Sequence, residues 1–514
     1  MYNIVTMAEK SYKSLKNGTD LRGVAVQTEE NNVTLTNEAI CDLTKAFLKW
    51  VSDKTGKTCL NIAVGHDVRI SSEAVFSAVQ KSIIECGCNV FYCGLSSTPS
   101  MYMLLKDENW DCDASIMITA SHLPFYMNGL KLFTPEGALG SADIDKIIEL
   151  AENGESLPRR LGNLVEQSYM DTYCKKLVAA VRTQIGKSAP LFGKKIIVDA
   201  SNGVGAFFVK KVLQQLGATT DGSINLNPDG NFPAHAPNPK NGEVIKALSD
   251  AVVSSKAELG IVFDADANRV AVVNSEGKPI NKDNLIALTA AAILMNAGGE
   301  GSTIVTDSAT TDGLTEFIEK HGGKHVRYKH GHRNVAEEAI RRNKKGEHCP
   351  VAIETNGHAA FEDNGFLDDG AYLVCKILIT YVQQAARKMT LGDLISSLVR
   401  PVEEKEIRIG FTADSGNYRR EGERIVEEFK YFADCDKRMS VAPDYYDGVR
   451  VNFTEDFGNG WLLLRQSIHH PVMIINMASM QAGGNKIMAR QLFFMLEKYP
   501  FLDVTELKNF ILTK

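Results

Sequence analysis

Short apolar runs that end in polar loops recur along the chain, and a stretch with helical spacing follows most of them. Apolar positions Ile40, Leu43, Phe47 and Val51 predict a helix, Leu60–Val64 a buried strand, and Ser72–Cys86 a second helix. Val90–Cys93 reads as a strand into the turn Gly94–Pro99. Ala114–Ile118 is a further apolar run, and Leu130–Phe133 restarts β-like alternation before the turn Thr134-Pro-Glu-Gly137. Between those runs lies a loop rich in breakers, Pro124, Asn128 and Gly129. A helical, charged segment over Asp143–Gln184 closes this region, with Gly186–Pro190 as a linker. The plan repeats with a strand in Lys194–Asp199 running into a glycine loop and a helix, and with a strand over Leu259–Phe263. It repeats again with Ser302–Thr306, a helix near Thr311–His321, and Val351–Ile353. Such alternation predicts mixed α/β layers. From Val402 onward, strands at Val449–Phe453 and Trp461–Leu464 precede late helices near Gly484–Lys498, which predicts a separate, smaller α+β domain. The expected domains are 1–187, 188–300, 301–400 and 401–514.

Composition narrows the function classes. At 514 residues the chain is too long for one core. With 44% hydrophobic and 23% charged residues it has an ordinary globular make-up. Its net charge, 57 − 63 = −6, draws it to neither nucleic acid nor anionic membrane. No apolar run reaches the roughly 18 residues of a membrane span. The first twenty residues lack a signal-peptide core, so a cytoplasmic protein is expected. Cys86, Cys88 and Cys93 cluster without a second group to complete a zinc set, and they read as reduced, partly buried thiols. Phe208 stands where a third glycine would complete a dinucleotide fingerprint after Gly203 and Gly205, which argues against a nucleotide site.

Candidate chemistry collects at the loops. Ser121 sits at a strand end with His122 and Lys131 close in sequence, and a serine hydroxyl becomes a useful nucleophile only beside a base or a charge. Asp264, Asp266 and Asn268 alternate at the end of an apolar strand, so an extended backbone points all three to one side. Hard oxygen donors at that spacing suit Mg²⁺.

Taken together, these loops resemble those of the α-D-phosphohexomutases, the phosphoglucomutase/phosphomannomutase type. Ala120-Ser-His-Leu-Pro124 with Asn128-Gly-Leu-Lys131 resembles the family's active-site serine loop, with Leu123 in place of its asparagine. Asp264-Ala-Asp-Ala-Asn-Arg269 resembles its metal loop, with Asn268 in place of the third aspartate. Glu354-Thr-Asn-Gly-His358 resembles its sugar-binding loop, with Asn356 in place of serine. Lys329-His-Gly-His-Arg333 resembles its Gly-His-Lys segment. Arg465-Gln-Ser467 followed by Pro471 resembles its phosphate loop, with His469 and His470 in place of Thr and Glu. The turn holding Arg22 matches another family arginine.

The resemblance implies three related α/β domains and a smaller C-terminal domain around a central cleft. It implies a phosphosugar mutase that moves a phosphoryl group between O1 and O6 of a hexose phosphate through a phosphoserine and a bisphosphate. Ser121, His122, Lys131 and His332 are then the catalytic candidates. Arg22, Arg269, Arg333, Glu354, Asn356, His358, Arg465 and Ser467 are the substrate-binding ones. Ser121, Asp264, Asp266 and Asn268 are the Mg²⁺ ligands, and hexose 1,6-bisphosphate is the activator. Asn268 removes one negative charge and so weakens Mg²⁺ binding. The partners are the hexose phosphate alone, with no nucleic acid or membrane, for a monomer or homodimer. Because the departures fall inside the motifs, two alternatives stand beside the mutase: a non-catalytic sugar-phosphate binder and a phosphosugar phosphatase.

Overall fold

The computed structural model describes residues 11–513 apart from 297, 413–416, 444–445 and 468–469. These form two compact units. The first comprises 11–281, 356–359 and 367–391; the second comprises 282–355, 360–366 and 392–513. The three α/β layers and the C-terminal mixed layer anticipated above are all present.

The first unit holds two sheets. One has eight strands, ordered Lys16–Asn17, Asp20–Val24, Met127–Thr134, Ala114–Ile118, Asn61–His66, Asn89–Leu95 and Leu164–Glu166, with Gly137–Ala138 beside Met127–Thr134. Its centre is parallel, and Ala114–Ile118 pairs antiparallel with Met127–Thr134, so the serine loop is the connection of a β-hairpin. The helix Asn37–Thr55 buries the anticipated Ile40, Leu43, Phe47 and Val51. The Thr36 side chain caps its start by accepting from Ala39, and Gly56 ends it in the left-handed region at φ 73°. The other sheet runs Pro279–Ile280, Val270–Asn274, Leu259–Phe263 and Ile196–Asp199.

Local details differ from the pattern reading. Asn128 and Gly129, expected in the loop, lie inside the strand Met127–Thr134. The Asn128 side chain is satisfied by Ser71, Ser72 and the Gly129 amide, and a Cβ at Gly129 would lie 2.3 Å from the Leu21 carbonyl oxygen. Only glycine allows that strand approach. The segment 143–184 is two helices, Ser141–Glu152 and Met170–Ile185, separated by the edge strand Leu164–Glu166. After Ile196–Asp199 the chain makes a 3₁₀ turn at Val204–Ala206 and a π-turn at Val209–Leu213 rather than an ordinary α-helix.

The second unit holds a four-stranded sheet, ordered Lys324–Tyr328, Thr303–Asp307, Val351–Ile353 and Ala359–Phe361. A six-stranded C-terminal sheet accompanies it, ordered Met439–Val441, Val449–Phe453, Gly460–Gln466, Val472–Ser479, Glu403–Phe411 and Leu502–Asp503. No helix among the described residues is long and apolar enough to cross a membrane.

The segment 225–235 of the first unit is anchored to the end of Ile196–Asp199 through His235, whose Nε2 lies 2.8 Å from Asp199 Oδ2. Further along it, Gly230 lies so close to Val68 and Ile70 that no side chain fits, and the Phe232 ring sits 5.2 Å from the Arg69 guanidinium carbon. Burial pulls the His235 imidazole down, but bonding to Asp199 outweighs it, so its pKa lies above the ordinary value. The sign follows from linkage. A histidine raised on folding contributes fully below its unfolded pKa of about 6.5 and loses that contribution as pH rises through the folded value. We therefore expect His235→Gln to destabilise the protein by about 1–3 kcal/mol under mildly acidic conditions. The gap to the parent should narrow as pH rises, as measured by chemical unfolding across pH.

Candidate active site

The serine loop in the first unit is shaped by one buried arginine. Arg69 Nη2 donates to the Ser121 and Leu123 carbonyls at 2.5 and 2.7 Å, and Nη1 donates to those of Pro124 and Met127 at 2.6 and 2.9 Å. Its Nε donates to Asp67 Oδ2 at 3.1 Å, and the same oxygen accepts the Thr119 hydroxyl at 2.7 Å. The Ser121 amide in turn donates to Thr119 Oγ1 at 2.8 Å. This scaffold holds Ser121 in the left-handed region at φ 53°, which costs a non-glycine residue of order 1 kcal/mol.

The Ser121 hydroxyl donates to Asp264 Oδ2 at 2.8 Å, while His122 Nδ1 is more distant at 3.5 Å. Lys131 does not bond the serine. Its Nζ donates to Asp266 Oδ2 at 2.8 Å, which also accepts the Thr98 hydroxyl at 2.5 Å. The convergence of Asp264, Asp266 and Asn268 does not come from strand alternation. Residues 264–268 form a turn with Ala267 at φ 56°, and Asp264 Oδ1 closes it by accepting the amides of Asn268 and Arg269 at 2.8 and 3.0 Å.

Burial and the neighbouring Asp266 push Asp264 well above the ordinary carboxylate range, with Arg269 opposing. Burial also acts against Asp266, but Lys131 and Thr98 outweigh it and hold that carboxyl below the ordinary range. Burial pushes His122 well below its ordinary value, and the Arg269 and Arg22 charges add to the effect, so its imidazole is neutral at pH 7 and carries a single N–H. Asp266 Oδ1 and Asn268 Oδ1 are buried and have no hydrogen-bond partner among the described residues. Two unpartnered oxygens beside Asp264 and a serine hydroxyl form an all-oxygen donor set that fits Mg²⁺.

Other expected residues join this group. Arg22 donates to Asp20 Oδ2 at 2.6 Å and to the Ala120 carbonyl at 3.3 Å. His358 Nε2 faces both Arg269 Nε at 3.0 Å and Asn268 Nδ2 at 3.2 Å, which makes it the acceptor. The Asn356 side chain accepts the His358 amide at 3.0 Å.

The second unit carries the remainder. Glu354, whose motif partners Asn356, Gly357 and His358 belong to the first unit, is buried and accepts the Gly331 amide at 2.7 Å. His332 opens the helix His332–Asn343, and Arg333 on that helix pairs with Glu337 at 2.6 Å. Arg465 is buried at the end of its strand, 3.6 Å from Asp447, and Ser467 accepts the His470 amide at 3.2 Å. His469 lies outside the described residues.

Sequence reasoning passed over Arg69, Asp67 and Thr98. The usable signal was an Asp-x-Arg directly after an apolar strand, because charges delivered there by a buried strand require partners.

The chain matches the phosphoglucomutase/phosphomannomutase alpha/beta/alpha domain I over residues 13–157, domain II over 171–277 and domain III over 281–402. It is 28% identical to a phosphoglucomutase of Neisseria gonorrhoeae over 475 residues, 92% of this chain and 94% of that one. To a phosphomannomutase/phosphoglucomutase of Pseudomonas putida it is 28% identical over 437 residues, 83% and 86% of the two chains. In fold it is similar to a phosphoglucomutase/phosphomannomutase family protein from Burkholderia thailandensis, with TM-score 0.78, 23% identity and coverage of 96% and 99%. It is also similar in fold to the open form of the Paramecium phosphoprotein parafusin, with TM-score 0.69, 17% identity and coverage of 96% and 95%.

Arg69→Met would leave Asp67 buried without its charge partner and release four carbonyls of the serine loop. A loss of about 3–5 kcal/mol is expected. It should be read locally, as faster hydrogen exchange of the amides in 120–127 than in the helix Asn37–Thr55.

Proposed function

The chain belongs to the phosphoglucomutase/phosphomannomutase family, and we propose that it moves a phosphoryl group between O1 and O6 of a hexose phosphate, with Ser121 as the carrier. Its relatives bear the names of phosphosugar mutases, and the chain is an intramolecular phosphotransferase of that class. The observation that carries the reading is the Ser121 hydroxyl, 2.8 Å from Asp264 on a buried loop whose neighbouring oxygens lack partners.

In the proposed cycle a sugar hydroxyl attacks the phosphorus of phospho-Ser121. The bond between phosphorus and Ser121 Oγ breaks, and the hydroxyl proton passes to a base. The resulting bisphosphate then presents its other phosphate to Ser121. Oγ gives up its proton to a base and bonds that phosphorus. The bond from phosphorus to the sugar oxygen breaks, and the sugar oxygen takes a proton to leave as a hydroxyl. Such transfers rest on positioning and charge neutralisation more than on covalent help. Ser121, Asp264, Asp266 and Asn268 would hold Mg²⁺, which when bound supplies positive charge opposite the transferring group. Lys131 balances the charge of Asp266 within the loop. Arg269 and Arg22 offer positive charge near the serine. Neutral His122 can accept a proton on its free ring nitrogen but is not the imidazolium that a general acid requires. In the second unit, Glu354 would accept hydrogen bonds from sugar hydroxyls, with His332 a further candidate for proton transfer. Arg333, Arg465 and Ser467 would bind the phosphate that is not being transferred.

Glucose 1-phosphate with Mg²⁺ and a trace of glucose 1,6-bisphosphate should yield glucose 6-phosphate. Free phosphate would instead identify a phosphatase, and binding without product a sugar-phosphate binder. Ser121→Ala should lower turnover about a thousandfold or more, roughly 4 kcal/mol of transition-state stabilisation. It should also abolish an intact-mass increment of about 80 Da. Asn268→Asp restores the third carboxylate and should tighten Mg²⁺ by about tenfold, read as a lower half-saturating Mg²⁺ concentration.

A further inference from the structure

A second group of ligand atoms lies wholly within the second unit. Asp307, His330 and Glu354 each offer one donor atom, all within 4.8 Å of one another. His330 Nδ1 is 3.0 Å from Asp307 Oδ2 and 3.4 Å from Glu354 Oε1. For a tetrahedral ion with metal–ligand bonds of about 2.0–2.1 Å, ligand atoms stand roughly 3.3 Å apart. The two separations from His330 are close to that spacing.

The donors are held from behind as metal ligands usually are. Asp307 Oδ2 accepts the Thr355 hydroxyl at 2.7 Å, and Glu354 Oε1 accepts the Gly331 amide at 2.7 Å. The His330 amide donates to Asp447 Oδ2 at 3.1 Å, and the Ser308 hydroxyl donates to the same oxygen at 2.8 Å, which fixes the backbone that delivers the imidazole. Both carboxylate side chains are fully buried, and Asp307 Oδ1 has no hydrogen-bond partner among the described residues. A cation would give that buried oxygen a partner. The His330 side chain is 23% exposed, which gives an ion a way in.

We propose that Asp307, His330 and Glu354 form a second metal site, selective for a borderline divalent ion such as Zn²⁺ or Co²⁺ over Mg²⁺. The imidazole nitrogen provides the selectivity, because Mg²⁺ favours oxygen donors while zinc and cobalt bind imidazole readily. Three protein ligands leave a fourth position for water. Where Glu354 also serves the sugar, ion and sugar compete for one carboxylate and the ion inhibits. That consequence rests on the proposed function, whereas ion binding does not.

The test is calorimetric titration of the full-length, chelator-stripped protein with Zn²⁺ in excess Mg²⁺, with Co²⁺ absorption as a second probe. The expected result is one site that weakens at least tenfold in His330→Gln and likewise in Asp307→Asn, which covers the case that the histidine variant fails to fold. It should persist in Asp266→Asn and in the Cys59→Ser/Cys435→Ser double variant. Bound Co²⁺ should give visible bands of a four-coordinate ion without thiolate charge transfer. Zinc binding unchanged in both His330→Gln and Asp307→Asn, or lost in Asp266→Asn or in the cysteine double variant, overturns the proposal.

Discussion

Everything at the serine rests on a guanidinium that never meets the serine's hydroxyl. Arg69 gathers four carbonyl oxygens of the hairpin connection, and so it fixes the course of a loop that has no regular structure of its own. Loops are ordinarily the variable part of a domain because their backbone groups bond to water. Here those groups are turned inward onto one cation, whose charge is met by Asp67. The fixing extends further. Phe232 lies over Arg69, Gly230 allows its segment to approach the neighbouring backbone, and His235 ties that segment to Asp199. A left-handed serine is tolerable only because this shell leaves it no other conformation.

The same region shows how one substitution changes a site's electrostatics without emptying it. An aspartate at 268 would place a third carboxylate beside Asp264 and Asp266, the latter paired with Lys131. Asparagine lowers that repulsion, and its amide nitrogen gives something a carboxylate cannot, a hydrogen bond to His358 Nε2. Since Arg269 donates to the same nitrogen, His358 is held in the tautomer that carries its proton on Nδ1. The departure at 268 is thus coupled to the imidazole of the sugar-loop motif, and Asn356 in that motif secures the same residue through its amide.

How much of this could be read from residues alone depends on the range of the interactions. Apolar runs gave the strands, because burial on both faces of a parallel layer demands them. The identities of Ser121, Asp264 and Asp266 were legible because each follows such a run. What could not be read was anything set by a distant partner. Alternation predicted an extended 264–268 segment, but Asp264 bonds the amides of 268 and 269 and turns the chain instead. Breaker residues predicted a longer loop at 128–129, but side chains from 71 and 72 draw Asn128 into a strand. Arg69 was legible as a charge after a strand, while its four carbonyl partners lie more than fifty residues away.

The two oxygen-rich places in the chain differ in a way that decides what each can hold. At Asp264–Asn268 every donor is oxygen, and one carboxylate is already neutralised by lysine, so an ion there meets hard ligands and moderate negative charge. At Asp307 and Glu354 an imidazole joins the two carboxylates. It presents a lone pair to a metal or a proton to the carboxylates, but not both. A nitrogen donor suits a borderline divalent ion better than Mg²⁺. The hardness of the donors therefore assigns the two places to different ions.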